Sequence, residues 1–441
     1  MPKMYAVTYG CQMNTYDTDQ IFKLMSQSHA MEKTVEASEA DCIVFNTCSI
    51  REKAAEKVFS DLGKLKPLKE KKPNLVVVVA GCVASQEGEA IIKRSSLVDI
   101  VIGPQTLHRL PELYQNHQMN QTPLVDVSFP GQDKFDAINT KPQATGVSNY
   151  VSIMEGCSQF CSFCIVPYTR GQEISRSFDE VLKEVYQLSE QGVKEVILLG
   201  QNVNRYQSKT KDGHDANLAL LIHYIASINA IESIRFTTSH PAYLDDALID
   251  AYAEEPKLAD HFHLPVQSGS NRILKAMKRG HEIDTFIKKV KRLRKARPGI
   301  SVSSDFIVGF PGETEEDFQE TMSLVKDMNI DQSYSFIYSP RPNTPASDLE
   351  DNVDLATKKH RLKRLQDRLD QNMQAINTSM VGSIHKILIT GTSKRSPNEI
   401  SGRTANHRVV NIDADQKHIG SFVNVRIVDC HRYTLRGEIV D

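Results

Sequence analysis

Residues 150–172 read YVSIMEGCSQFCSFCIVPYTRGQ, and the reading of the whole chain turns on them. The stretch opens on an apolar, β-branched run, 150–154, with the composition of a strand. It passes through Glu155-Gly156 into a loop that holds Cys157, Cys161 and Cys164 at Cys-x3-Cys-x2-Cys spacing. Three thiolates so close in sequence can surround one metal centre, and soft sulfur ligands select zinc or iron–sulfur clusters. Structural zinc sites usually close with a fourth Cys or His, and residues 165–172 supply neither. A cluster on three cysteines leaves one iron open to a substrate or cofactor chelate. A zinc site completed by a distant residue is the alternative.

Downstream of this loop, further strand-like runs recur at 195–199, 233–237, 261–265, 301–307 and 332–337. Amphipathic helical segments such as 178–191 and 284–297 lie between them. With the 150–154 run this makes six β/α units between about 148 and 375. A closed (β/α)8 barrel needs eight, so an open partial barrel, (β/α)6, is expected. Upstream, over 1–118, the runs 3–8, 41–46 and 74–80 are each followed by a helical pattern, the signature of a parallel α/β sheet. Residues 119–147 carry several Gly and Pro without sustained periodicity and read as an irregular linker. The last segment, 376–441, has short strand runs at 386–390, 408–412, 424–428 and 435–440, and reads as a small all-β barrel. The fold class is therefore α/β with a separate C-terminal β-barrel.

The N-terminal sheet carries a second set of cysteines. Cys11, Cys48 and Cys82 each follow a predicted strand and precede a predicted helix. In an open parallel sheet such positions fall on one edge, outside the carboxyl ends of the strands, where ligands bind. Helix N-termini there favour thiolates. A second three-cysteine site follows, with coincidence of three unrelated thiols as the alternative. Cys42 lies inside an apolar run and reads as packing; Cys430 receives no role.

The chain has 441 residues, enough for about three domains. With 40% hydrophobic and 24% charged residues it has an ordinary globular composition, which excludes disordered, collagen-like and coiled-coil classes. Eight cysteines without an export signal or an apolar run long enough to span a bilayer point to a cytosolic chain whose thiols bind metal rather than form disulfides. The net charge of −2 hides segregation. Between Arg272 and Arg297 eleven basic residues face two acidic ones, and 358–368 adds a second basic run. Solvated helix faces would explain either one.

The Cys-x3-Cys-x2-Cys run with the upstream Cys11, Cys48 and Cys82 resembles the radical S-adenosylmethionine (SAM) methylthiotransferases. The resemblance covers essentially the whole chain, through TYGCQMNTYDTD (8–19), FNTCSIREKA (45–54), AGCVAS (80–85), YVSIMEGC (150–157), LLGQNVN (198–204), RFTTSHP (235–241), HLPVQSGS (263–270) and SSDFIVGFPGET (303–314). It implies a radical SAM core over 148–375 and a TRAM-like RNA-binding barrel over 376–441. Three branches of the family act on isopentenyl-adenosine in tRNA, on threonylcarbamoyl-adenosine in tRNA, or on an aspartate of a ribosomal protein. YGCQMNTYD, IVPYTRG and LLGQNVN resemble the first. The resemblance then implies methylthiolation at C2 of N6-(dimethylallyl)adenosine beside the anticodon. One departure is Asn343 in SPRPNTPA, where Gly is common, which bears on turn geometry rather than chemistry.

Carried over residue by residue, the resemblance implies that Cys157, Cys161 and Cys164 ligate a [4Fe–4S] cluster that chelates SAM. Cys11, Cys48 and Cys82 would hold an auxiliary [4Fe–4S] cluster that carries the sulfur. Phe163 is a candidate to pack on the SAM adenine or to shield the cluster. Gly200, Gln201, Asn202, Ser239, Gln267 and Asp305 lie on predicted strand ends, the rim where barrel sites are built, and are candidate SAM contacts. His240 before Pro241 reads as a rim or turn residue, since radical hydrogen abstraction needs no base. GFPGETEEDF (309–318) lacks the Gly-Lys-Ser/Thr ending of a phosphate loop and reads as a helix cap from Thr314 to Asp317. Lys394, Arg395, Arg403, Arg408 and Arg432, in or near loops of the last barrel, are candidate contacts to RNA phosphates. The expected partners are a tRNA anticodon stem-loop, an electron donor such as flavodoxin or ferredoxin, and a sulfur source. No membrane partner and a monomeric state are expected. The non-enzymatic alternative is a zinc-stabilised RNA-binding protein.

Overall fold

The computed structural model describes residues 1–49, 52–129, 135, 141–393 and 396–440, with 52–55 described in backbone only. The chain divides into two compact units. The first comprises 1–141, 154–176 and 341–347; the second comprises 142–153, 177–340 and 348–441.

The first unit is built on a parallel six-stranded sheet: β1 (Lys3–Thr8), β2 (Glu32–Lys33), β3 (Cys42–Thr47), β4 (Val76–Gly81), β5 (Ile100–Ile102) and β6 (Leu124–Asp126), in the order β2-β1-β3-β4-β5-β6. β3 and β4 are buried along their whole lengths. Their continuous apolar runs, CIVFNT and VVVVAG, are what a parallel strand covered on both faces requires. Alternate residues feed two cores: Cys42, Val44, Val76 and Val78 pack with Ile21 and Leu110 on one face, while Ile43, Phe45, Val77 and Val79 pack with Val58 and Leu62 on the other. β6 lies inside the stretch expected to be irregular, and most of 130–140 falls outside the described residues. Three residues are too few to show a period, so only pairing to β5 reveals the strand.

In the second unit β7 (Ser148–Ser152), β10 (Glu195–Leu199) and β13 (Ser233–Phe236) form a parallel sheet in the order β13-β10-β7. In chain order, β8 (Met154–Glu155) and β9 (Ile174–Ser175) are a small antiparallel pair of the first unit, and β11 (Gln207–Lys209) and β12 (Asp215–Asn217) a hairpin of the second. A parallel bridge from Ile234 to Leu258 continues from β13 toward β14 (His261–His263), which pairs in parallel with β15 (Ser301–Ser303). β16 (Asp305–Val308) follows after Ser304 and pairs in parallel with β17 (Tyr334–Ile337). The six expected β/α units are thus present as an open series of parallel strands.

The chain ends in a closed barrel of β18 (Ile384–Thr392), β19 (Ile400–Arg403), β20 (Val409–Ile412), β21 (Phe422–Cys430) and β22 (Thr434–Val440), ordered β18-β19-β20-β22-β21. Ile387, Ile389, Val410, Val425, Ile427 and Leu435 fill it. Closure removes the unpaired edges that short strands would otherwise expose.

The turn 404–408 of this barrel reaches the amino ends of the parallel strands. The Arg235 guanidinium donates to the Thr404 carbonyl at 2.9 Å and the Ala405 carbonyl at 3.3 Å, while its Nε bonds Glu195 at 2.7 Å. His261 and His407 stack with ring centroids 4.6 Å apart. Arg408 makes a two-pronged pair with Asp331 at 2.7 and 2.8 Å and donates to Asn377 at 2.6 Å. The turn therefore stops the floor of the open barrel.

Candidate functional site

Each cysteine of the N-terminal set follows its strand. Cys11 is the N-cap of the helix Gln12–His29, Cys48 directly follows β3, and Cys82 opens the helix Cys82–Glu87 at the end of β4. β1, β3 and β4 are adjacent and parallel, so the three residues share one rim. Gly10 precedes Cys11 at φ +112°, and a side chain there would meet Cys48 Cβ at 2.3 Å. Only glycine lets the two cysteine loops approach so closely.

The thiols of Cys11 and Cys48 are hydrogen-bonded. That bond, the Arg170 guanidinium and the first-turn amides of Asn14 and Met13 together overcome burial and bring the Cys11 thiol down to about 6. Behind the rim, Asn14 Nδ2 donates to the Thr47 carbonyl at 2.7 Å, and Asn46 Nδ2 donates to the Asn14 carbonyl at 2.8 Å. Both asparagines are fully buried.

The Cys157, Cys161 and Cys164 loop belongs to the same compact unit. Gly156 enters it at φ +74°, where a Cβ would lie 2.0 Å from the Gln172 carbonyl oxygen. The Cys157 amide closes the loop onto the Gly171 carbonyl at 3.1 Å, and Cys164 turns back onto Cys161 at 3.0 Å. The segment 341–347 also reaches this loop, through the Ala346 amide to the Ser162 carbonyl at 2.8 Å. Asn343 there has φ +63°, the left-handed conformation in which glycine is the easy choice and asparagine the next. Phe163 is half-buried in the loop.

Arg170 ties the two sets together and was invisible as a site residue in the sequence. Only 3% exposed, it ends the helix Val166–Arg170, which packs against the helix opened by Cys82. Its Nη2 donates to Asp17 at 2.7 Å, its Nη1 lies 3.8 Å from Glu155, and Gln105 Nε2 bonds both Glu155 and the Arg170 carbonyl at 3.0 and 2.7 Å. Burial opposes its charge, but Asp17, Cys82, Glu155 and Cys11 outweigh burial and hold it protonated. Among the described residues Nη1 has no hydrogen-bond partner. The signal that could have found this rim is the Gly-Cys pair repeated at 10–11, 81–82 and 156–157. Among the described residues no three Cys, His, Asp or Glu side chains converge as a ready cage for a single metal ion. Thiols at helix starts beside a buried cation are the donor chemistry an anionic thiolate-bound cluster requires.

In the second unit Gly200, Gln201 and Asn202 follow β10, Ser239 and His240 follow β13, Gln267 follows β14, and Asp305 begins β16. Asn202 is 1% exposed, yet among the described residues both its amide atoms lack partners, as do Ser239 Oγ and Asp305 Oδ1. A buried polar atom left unpaired in a native fold calls for a reason, such as strain, a bound water or a ligand. Thr238 and Gln267 hold φ of +54° and +76° on the same rim, strain of the kind that clusters at functional sites. Asn204, which sequence reading missed, pins His240 by two backbone bonds of 2.8 and 3.0 Å. His240 Nδ1 accepts from the Ala242 amide at 3.2 Å. Burial, then Arg279, His281, Arg205 and Lys289, push its pKa down to about 2, so it is a neutral imidazole.

The basic residues divide. Arg403 is exposed, and Arg432, 61% exposed, pairs with Asp370 and lies 5.0 Å from the Tyr433 ring centroid. Lys394 and Arg395 lie outside the described residues. Arg408 does not take the expected place facing RNA: it is 1% exposed and fully committed to Asp331, a strut rather than a phosphate ligand. In the two basic runs Arg279, Lys358 and Arg361 are likewise buried, Arg361 with its Nη1 bonded to Glu313 at 2.9 Å, while most of the other basic side chains there are exposed. At 314–317 the helix-cap reading holds: Thr314 Oγ1 accepts from the Asp317 amide at 3.3 Å and Asp317 accepts from the Thr314 amide at 2.8 Å.

Three family models match stretches of the chain. Residues 3–103 match Uncharacterized protein family UPF0004, 151–325 the Radical SAM superfamily, and 378–440 the TRAM domain. A tRNA-2-methylthio-N(6)-dimethylallyladenosine synthase of Coxiella burnetii is 55% identical over 439 residues, covering 100% of both chains. Its namesake from Francisella philomiragia is 56% identical over 438 residues, covering 99% of each. Among solved structures, TsrM, a radical S-adenosylmethionine methyltransferase from Kitasatospora setae, aligns with TM-score 0.57 at 13% identity, covering 79% of this chain and 77% of that one. The cobalamin-dependent radical enzyme OxsB aligns with TM-score 0.54 at 14% identity, over 82% of this chain and 56% of its own. These two share the fold.

Proposed function

This chain belongs to the tRNA-2-methylthio-N6-dimethylallyladenosine synthase family of radical SAM enzymes, and from that premise we propose that it methylthiolates C2 of N6-(dimethylallyl)adenosine beside the anticodon of tRNA. The observation that carries the reading is identity above one half along the entire chain, with all three domain models in register.

In this reading Cys157, Cys161 and Cys164 hold the [4Fe–4S] cluster that binds SAM, and Cys11, Cys48 and Cys82 hold a second cluster. When bound, these groups would supply one-electron and radical chemistry at an adenine carbon too inert for acid–base attack, and the sulfur for insertion there. The protein's own part is to bind, orient and exclude. Helix-start amides and the Arg170 guanidinium stabilise anionic sulfur at the rim. The unpaired atoms of Asn202, Ser239 and Asp305 await the polar groups of SAM, with Gly200, Gln201 and Gln267 as further contacts; in the cysteine loop Phe163 is the candidate to pack on the SAM adenine or to shield the cluster. A neutral His240 takes no proton, in keeping with a radical reaction. Arg403 and Arg432, with Lys394 and Arg395, contact tRNA phosphates. A flavodoxin or ferredoxin provides electrons, a separate sulfur source refills the second site, and the enzyme works as a monomer in the cytoplasm. Among the described residues no helix is long and apolar enough to cross a membrane.

The test is mass spectrometry of tRNA nucleosides from cells with and without the protein, and with Cys157→Ala or Cys11→Ala. The expected result is loss of the 2-methylthio group with accumulation of the dimethylallyl nucleoside in all three. Unchanged nucleosides would transfer the reading to a ribosomal-protein aspartate or another modified adenosine. Anaerobic protein is expected to be brown with about eight irons; a colourless zinc protein would favour the non-enzymatic alternative.

A further inference from the structure

The strands β14 to β17 present two unlike faces. Neighbouring residues across a parallel sheet share a face, and alternation along each strand separates the two. Phe262, paired with Val302, and Phe306 and Val308 on β16 are between 0 and 1% exposed. They form the face covered by helices. On the other face the amino-terminal half is polar and internally satisfied: Ser303 Oγ lies 2.9 Å from both His261 Nε2 and His263 Nδ1, and His263 lies 3.5 Å from Asp305.

Beyond Asp305 the same face changes character. Asp305 pairs with Tyr334 and Ile307 with Phe336, so Ile307, Tyr334 and Phe336 occupy the face that Asp305 shares. Tyr334 is 60% exposed and Phe336 37%. Their rings lie nearly parallel, centroids 6.5 Å apart at 16°, and together form an exposed aromatic platform. Phe310 and Tyr338, which follow on these two strands, are by contrast buried against each other. Two adjacent aromatics left bare in a strand pair whose opposite face buries Phe306 and Val308 and half-buries Ser335 and Ile337 are a feature that a fold alone does not require.

We propose that Tyr334 and Phe336, with Ile307, are the platform on which the substrate adenine and its dimethylallyl arm rest, and that they set the preference for a prenylated base. The inference rests on the tRNA reading above and adds to it the residues that recognise the base. Three observations select this occupant. The platform exposes aromatic rings, the side chains on which unstacked bases rest. It is apolar beside Ile307, which suits a five-carbon hydrocarbon arm rather than a sugar or phosphate. It adjoins Asp305, the polar end of the same face, so cofactor and substrate have separate, contiguous places.

The experiment compares two anticodon stem-loops identical except for the N6-dimethylallyl group, bound to anaerobically purified full-length enzyme, with SAM affinity measured in parallel. The unaltered enzyme is expected to bind the prenylated loop more tightly. Tyr334→Ala with Phe336→Ala is expected to lower affinity for the prenylated loop at least about fivefold, the low end for loss of one base–aromatic stack, and to narrow its preference over the unprenylated loop, with SAM affinity unchanged. Tyr334→Phe, which keeps the ring, is expected to retain it, and the single Tyr334→Ala, at the more exposed position, gives the same direction should the double variant fold poorly. A variant that keeps full preference would overturn the inference and leave the tRNA reading standing. A parallel fall in SAM affinity would assign the platform to the cofactor's adenine and overturn it too. Equal binding of both loops by the unaltered enzyme would overturn the substrate reading and this inference with it.

Discussion

Arg170 and Arg408 are two buried guanidiniums with different employment. Arg170 faces Asp17 and Glu155 beside the cysteine rim; Arg408 is clamped by Asp331. Removing one member of a buried pair strands the other charge, which typically costs about 3–5 kcal/mol. Arg170→Met is therefore expected to lower the urea midpoint strongly, and Arg170→Met combined with Asp17→Asn to recover part of the loss in a double-mutant cycle. Arg408→Met is expected to be destabilising on the same scale, whereas Arg403→Glu is expected to leave the midpoint within about 0.5 kcal/mol and to weaken tRNA binding with a shallower salt slope. Cys42 behaves as its apolar context implies, a packing thiol whose pKa burial raises to about 12. Neither arginine's fate was legible in the sequence: a basic residue in a loop region reads by default as solvated, and the partners, Asp17 and Asp331, lie 153 and 77 residues away. Cys11, Cys48 and Cys82 were legible because a parallel sheet converts three strand ends into one edge.

At the level of elements, the central strands were legible as unbroken apolar runs, since burial on both faces leaves no polar alternation to misread. The cap at Thr314 was legible from spacing alone, and the box it forms with Asp317 is complete. Burial pushes the Asp317 carboxyl up, but hydrogen bonds from Arg272, Ser270 and Thr314 win and hold it well below the usual range. Thr314→Ala is expected to destabilise by about 1 kcal/mol, the usual cost of a lost N-cap, measured as a shift in urea midpoint with unchanged slope. β6 was missed because an edge strand of three residues is defined by its neighbour rather than by its own pattern. The polar and apolar halves of the face carrying Asp305 and Tyr334 were likewise beyond a one-dimensional reading, because they are assembled from strands with separate periods.

For the molecule as a whole, sequence reading cut the chain into consecutive stretches, while the fold gathers 154–176 and 341–347 into the compact unit of residues 1–141. Periodicity reports where elements begin and end but not which core they join. Stability should also be read at this scale. His240, His281 and His407 have pKa values brought down to about 2, 4 and 3, in each case chiefly by burial, and His261 is lowered in the same way. Unfolded, they would protonate near 6.5. Between about pH 4 and 6.5 the unfolded chain therefore binds more protons, and stability falls with acidification by up to about 1.4 kcal/mol per pH unit for each such histidine. Thermal melts at pH 7.5, 6.5 and 5.5 are expected to show this decline, with a shallower slope for His407→Gln.

The 404–408 turn that stops the barrel floor also limits how such proteins can be recombined. A C-terminal module that only trailed from its neighbour could be exchanged between relatives as a unit. Here the turn is keyed to Arg235, His261 and Asp331, each contributed by a different part of the parallel sheet. A chimaera joined between residues 378 and 404 inherits one half of a lock, so the turn and the strands it meets must be inherited together, and drift on either side of the seam is constrained by the other.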